Sequence, residues 1–128
     1  MAMYLGSDQV AGVYAVVESG SNANGYYIKF EDGTMICKGT ASGSSPNYDW
    51  WSFCKRTAEQ IQVTFPATFV GSPTVTANPT NVLGGLFAIL IDTQTTTHFT
   101  FTGLRAGGAA NSNYTAWGIT YIAVGRWK

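Results

Sequence analysis

Charge is what this sequence has least of. Asp, Glu, Lys and Arg make up 11% of 128 residues, against roughly 25% in an average soluble domain. Seven basic and seven acidic residues cancel. Nucleic acid is thereby excluded as a partner, because binding it rests on a basic surface. The adjacent basic pair Lys55-Arg56 is too small to make one. Long apolar runs are also missing: no stretch approaches 18 residues, so no membrane insertion is expected. The first residues lack a basic region followed by an apolar one and do not read as a signal peptide. Leu, Glu and Lys are scarce, so the strong helix formers are absent.

The side chains that usually carry chemistry are equally sparse. There is one histidine, His98, with Asp92 nearby across a turn, but no G-x-S-x-G elbow for a nucleophile. Glu31 and Asp32 are adjacent, yet they fall in a turn rather than facing a cleft. Cys37, Cys54 and His98 lack any diagnostic metal spacing. Each cysteine lies in an apolar, strand-like run, which favours buried thiols over a disulfide. Gly84-Gly85 and Gly107-Gly108 are not phosphate loops, because no GK[ST] follows. The expectation is a protein that is not an enzyme and needs no cofactor.

What is abundant is glycine, 15 residues, together with Thr, Ser, Asn and aromatics. That is the composition of an all-β domain with many turns. Residues 114–128 read as one long central strand, apolar on both faces: Trp117, Ile119, Tyr121 and Ala123 on one, Thr120, Ile122 and Val124 on the other. Residues 10–18 form a first apolar run, an arm or the end of a stalk, and residues 19–24 a turn or hinge. Residues 25–39 are the clearest hairpin, turning at Asp32-Gly33. A loop is expected over residues 40–49 and a strand over 50–57. One helical turn is expected at residues 56–60 and a strand at 60–65, stopped by Pro66. Strands follow at residues 74–78, 86–91 and 96–102, with a turn at 92–95 and a glycine-rich loop at 103–113. Short strands at this spacing predict a small antiparallel β-sandwich preceded by a β-hairpin. The domain division is an arm and hinge over residues 1–24 and a sandwich over residues 25–128.

Two loops look made for contact. Residues 41–51 and 103–117 mix aromatics with Ser, Gly and Asn, which supply rigid contact area and adaptable hydrogen bonding. An aromatic plate beside Asn, Asp and Arg suits a sugar ring, apolar on one face and rimmed with hydroxyls. The candidate ligand-binding residues are Tyr48, Asp49, Trp50, Arg105, Asn111, Asn113 and Tyr114. One of Trp50 and Trp51 is expected in the core, as is Trp117.

The run Glu18-Ser-Gly-Ser-Asn-Ala-Asn-Gly-Tyr-Tyr-Ile-Lys-Phe-Glu-Asp-Gly-Thr-Met-Ile-Cys37 resembles the opening of the C-terminal domain of tailed-phage and prophage tail fibres. The end, Ile-Ala-Val-Gly-Arg-Trp-Lys, resembles the way those fibres end. Phe65-Pro-Ala-Thr-Phe69 followed by Pro73-Thr-Val75 is similar to H-type lectins and the related gp53-like fibre tips. The resemblance implies a six- to eight-stranded, H-type-lectin-like sandwich, assembled as a homotrimer at the distal tip of a fibre. It implies a virion or a prophage-encoded, phage-like particle as the location. The partner it implies is a bacterial surface glycan, such as lipopolysaccharide or capsule, or an outer-membrane protein. The Trp-His pair that H-type lectins use is absent, since Thr97 precedes His98. In a trimer, three copies of His98 could meet on the threefold axis around one ion. Two alternatives stay open: a trimerisation and folding cap that binds no receptor, and a polysaccharide-degrading enzyme. The absence of shaft-like repeats before Gly25 suggests a fragment or a separately encoded tip.

Overall fold

The computed structural model describes residues 15–51, 54–80, 88–106 and 114–128. Among these it contains ten strands and no helix: β1 (Val16–Asn22), β2 (Gly25–Phe30), β3 (Thr34–Pro46), β4 (Tyr48–Trp51), β5 (Cys54–Arg56), β6 (Ile61–Thr64), β7 (Thr74–Pro79), β8 (Ala88–Gln94), β9 (His98–Ala106) and β10 (Tyr114–Arg126). They form an all-β, antiparallel sandwich of two sheets. The first runs β1-β2-β3-β10-β7. The second runs β4-β5-β9-β6, with β8 also paired to β9. β8 meets β9 over the same residues that β5 and β6 use, so β8 holds one edge of β9 while β5 and β6 share the other.

β10 has a partner on each side, β3 over thirteen residue pairs and β7 over six. Alternation puts Ile119, Tyr121 and Ala123 inward, where all three are buried. From the second sheet, Phe99 and Phe101 of β9 face them, with Val63 of β6 beside Phe99. Phe65, Phe69, Phe99 and Tyr121 make an aromatic cluster with ring centroids 5.2–6.0 Å apart. Trp117 packs edge-on against Phe101 at 5.2 Å. Such pairs add about 0.5–1.5 kcal/mol each beyond the area they bury. Cys37 and Cys54 are buried free thiols, and burial pushes the Cys37 thiol up to about 11.

The Asp32-Gly33 turn joins β2 and β3 with Gly33 at φ 97°. Asp32 Oδ1 accepts a hydrogen bond from Thr34 N at 2.9 Å, and that bond holds the Asp32 carboxyl below its ordinary range. The chain's end clamps the same turn. Trp127 Nε1 donates to Phe30 O at 2.7 Å, Trp127 N to Gly33 O at 2.9 Å, and Arg126 Nη2 to Asp32 O at 2.7 Å.

The structure corrects several local expectations. Residues 19–22 belong to β1, and the turn is confined to Ala23 and Asn24, where Asn22 Oδ1 accepts from Asn24 N at 2.8 Å. The expected arm at residues 10–18 lies largely outside the described residues. Residues 40–46, expected as loop, continue β3 because every one of them is paired to β10. Small residues serve a purpose there: a side chain at Gly43 would come within 2.7 Å of the Trp117 ring. The single strand expected at 50–57 is two strands, β4 and β5, paired with each other. No helical turn forms at 56–60; Gln60 has φ 57°, and its N–H donates to Asp92 Oδ2 at 3.0 Å. β8 runs through the expected turn to Gln94, and β9 extends through Gly103 to Ala106. The hairpin expected ahead of the sandwich is continuous with it, since its second arm is β3. Finally, β10 is central but not buried on both faces: Ile122 is 50% and Val124 43% exposed.

Candidate functional site

At one end of the sandwich the chain leaves the first sheet at Pro46 and enters the second at Tyr48. Tyr114, the first residue of β10, pairs with Pro46. Between them, the buried Thr115 Oγ1 donates to Asn47 Oδ1 and ties β10 to this crossing. Behind it, Ser45 Oγ accepts from Ala58 N at 2.7 Å, and Thr57 Oγ1 accepts from Gly103 N at 2.9 Å. These bonds hold β3, β5 and β9 together where regular pairing ends.

The β4–β5 hairpin stands on this base. Cross-strand register sets Tyr48 opposite Arg56 and Asp49 opposite Lys55. The Arg56 guanidinium lies 4.8 Å from the centre of the Tyr48 ring, a cation–π contact that braces the ring. Lys55 Nζ donates to Asp49 Oδ1 at 2.5 Å, and this bond lowers the Asp49 carboxyl. The pair is exposed and contributes little stability. Tyr48 is 43% and Tyr114 60% exposed, with Trp50 also exposed. Tyr48 with Arg56 thus stands on one face of the hairpin and Asp49 with Lys55 on the other.

Of the residues expected to bind a ligand, Tyr48, Asp49, Trp50 and Tyr114 lie about this crossing. Arg105 lies in β9 opposite Lys55 and is only 5% exposed, so it is placed behind the surface rather than on it. Asn111 and Asn113 lie outside the described residues. Arg56 and Asn47 were missed. The signal for Arg56 was the β4–β5 hairpin, which places it opposite Tyr48; a single-strand reading hides that partnership.

His98 begins β9, half-buried, with Nδ1 2.9 Å from Thr97 Oγ1 and 3.3 Å from Thr95 Oγ1. The Asp92 carboxylate is turned elsewhere, accepting from Thr102 Oγ1 at 2.8 Å and from Gln60 N. Among the described residues no three His, Cys, Asp or Glu side chains are grouped to hold a metal ion.

No protein-family model matches the chain, and no curated protein matches it. Among solved structures it is similar to the N-truncated R1-type pyocin tail fiber, with a TM-score of 0.57 and 16% identity. The match covers 87% of this chain and 88% of that one. The two share a fold.

Proposed function

We propose that this chain is a receptor-binding tip of a tail fibre, on a phage or a phage-like particle. It works as a homotrimer, is not an enzyme, and attaches to a bacterial surface glycan. The observation that carries the reading is the fold shared with a pyocin tail fiber over nearly the whole chain. The end formed by Tyr48, Asp49, Trp50 and Tyr114 suits a glycan of several units: exposed aromatic rings for the apolar side of a ring, and, on the hairpin's other face, Asp49 with Lys55 for hydroxyls. Arg105 supports β5 from behind, and Asn111 and Asn113 would add amides from the segment preceding Tyr114.

The test is attachment of the labelled protein to a panel of bacterial strains and to a glycan array. Tyr48→Ala/Tyr114→Ala should weaken binding at least tenfold while the circular dichroism spectrum is unchanged. Undiminished binding by that variant would sink this placement of the site. A second reading, a trimerisation cap that touches no receptor, draws on the exposed apolar residues of β10. It predicts a folded trimer that binds no strain and no glycan.

A further inference from the structure

We infer that copies of this chain associate through the outward face of the first sheet, with Ile122 and Val124 at its centre. The inference rests on the trimeric reading above and adds the surface.

Register builds this face row by row. Tyr26, Lys38, Ile122 and Thr76 stand side by side on β2, β3, β10 and β7. The next row is Ile28, Ile36, Val124 and Thr74. On the other side of the first come Thr40, Thr120 and Asn78. Ile122, Val124 and Tyr26 are exposed, and Ile28 and Ile36 half-buried. The charged group in these rows is Lys38, whose Nζ lies 5.9 Å from the Tyr26 ring centre and so leans away from Ile122. Two shallow hollows, about 650 and 120 Å³, both border on Ile122. One lies toward β2 and β3 and the other toward β7, so the face is not flat and another protein can interlock with it.

Three features select a second copy as the occupant. First, an apolar centre with a polar rim is the anatomy of a protein interface. Four strands about 4.8 Å apart and five residues at about 3.3 Å give roughly 300 Å² of plane. That plane, rim included, is a part of the roughly 800 Å² per partner that a stable interface buries, with Tyr26, Ile28, Ile36, Ile122 and Val124 as its apolar centre. Second, the rim is mostly hydroxyls. Each donates and accepts, so a copy of the same rim satisfies it, and no partner of complementary charge is needed. Third, the chain is electrically neutral, so identical copies approach without net repulsion. A lipid surface would ask for a cluster of cations around the apolar centre, and this face offers Lys38.

The opposite face of the sandwich has a different character. Gln62 and Thr64 are exposed on the second sheet, with His98 half-buried beside Thr64. An assembly joined through the Ile122 face leaves His98 on the outside, away from the axis.

The experiment is light scattering on size-exclusion eluates of the full chain, wild type against Ile122→Lys/Val124→Lys. Gln62→Lys/Thr64→Lys is the control on the other sheet. The expected result is three chain masses for wild type and control, and one for the double variant with an unchanged far-ultraviolet spectrum. If lysines prevent folding, Ile122→Thr/Val124→Thr replaces them; it should dissociate on dilution at concentrations at least tenfold higher than wild type. A double variant that remains trimeric, or a threonine variant no weaker than wild type, overturns the choice of face and leaves the trimeric reading standing. A wild type of one chain mass overturns both.

Discussion

The two sheets share an aromatic core but treat their outer sides in opposite ways. Outward of the second sheet, polar groups bond to one another: Thr93 N donates to Thr100 Oγ1 at 3.1 Å, and Thr102 Oγ1 to Asp92 at 2.8 Å. Leu90 of β8 and, at the sheet's end, Tyr48 and Trp50 of β4 are the exposed exceptions. Outward of the first sheet, Ile122 and Val124 meet no such network. Thr120 Oγ1 has only a long contact, 3.4 Å, to Gly39 O. The lesson is that one strand pattern can end in two kinds of surface. A face whose side chains satisfy each other is finished as a single chain. A face of branched apolar groups is stable in the sheet and still has area to bury.

The comparison breaks most decisively at the core. Tyr121→Ala removes a buried ring and the O–H it donates to Asn24 O at 3.0 Å. It should cost about 3–5 kcal/mol, read by urea denaturation. Its outward neighbour, Ile122→Ala, should cost about 1 kcal/mol or less in the dissociated chain. Equal losses would erase the distinction between the two sides of β10.

A finer contrast sets two threonines against each other. Thr100→Val, on the second sheet, strands the Thr93 N–H and should cost about 1–2 kcal/mol. Thr120→Val, on the first, should change stability by less than about 0.5 kcal/mol. Thermal melts of both proteins check the pair, and a large loss at Thr120 would contradict the view that its hydroxyl is idle within one chain.

The last effect shows only at high pH, and it belongs to the first sheet. Burial raises the Cys37 thiol of β3 to about 11 and the Tyr121 phenol of β10 to about 12. Both groups are neutral below their ordinary values near 9 and 10. A folded value raised above the unfolded one gives stability that is complete below the unfolded value and lost as pH rises through the folded one. Denaturation midpoints should thus be flat across neutral pH and fall between pH 9 and 12, less steeply in Cys37→Ala. A flat profile to pH 12 would mean that neither group stays buried.

Much of the fold was legible because its signals are local. β10, thirteen residues long, announces itself by its Tyr, Trp, Thr, Ile and Val, and Asp32-Gly33 marks its turn by the need for positive φ. Clean alternation found β6, and the proline at its end placed the stop. What was not legible depends on distant partners. Residues 40–46 are small and polar, and their pairing with residues 114–120 makes them strand. Residues 19–22 likewise become strand by lying against β2. Local propensity loses to such pairing. The candidate end was partly legible: Tyr48, Asp49 and Tyr114 were chosen by residue type, and they do lie about one crossing. The burial of Arg105 was not, because polar side chains give no sign of facing inward.

Because β10 lies between β3 and β7, the first sheet has a gap until that strand is made. A ribosome adding roughly 5–20 residues per second delivers β3 several seconds before its partner. During that interval β3 and β7 each carry an open edge, and the inward residues Met35, Cys37 and Val75 have no sheet to complete. Arg126 and Trp127, at the end of β10 and just past it, also fasten the turn at Asp32-Gly33, nearly a hundred residues back. The first sheet is thus unfinished until β10 is made, and a stop before Ile119 leaves β7 with none of its β10 pairs and β3 with most of its own unmade.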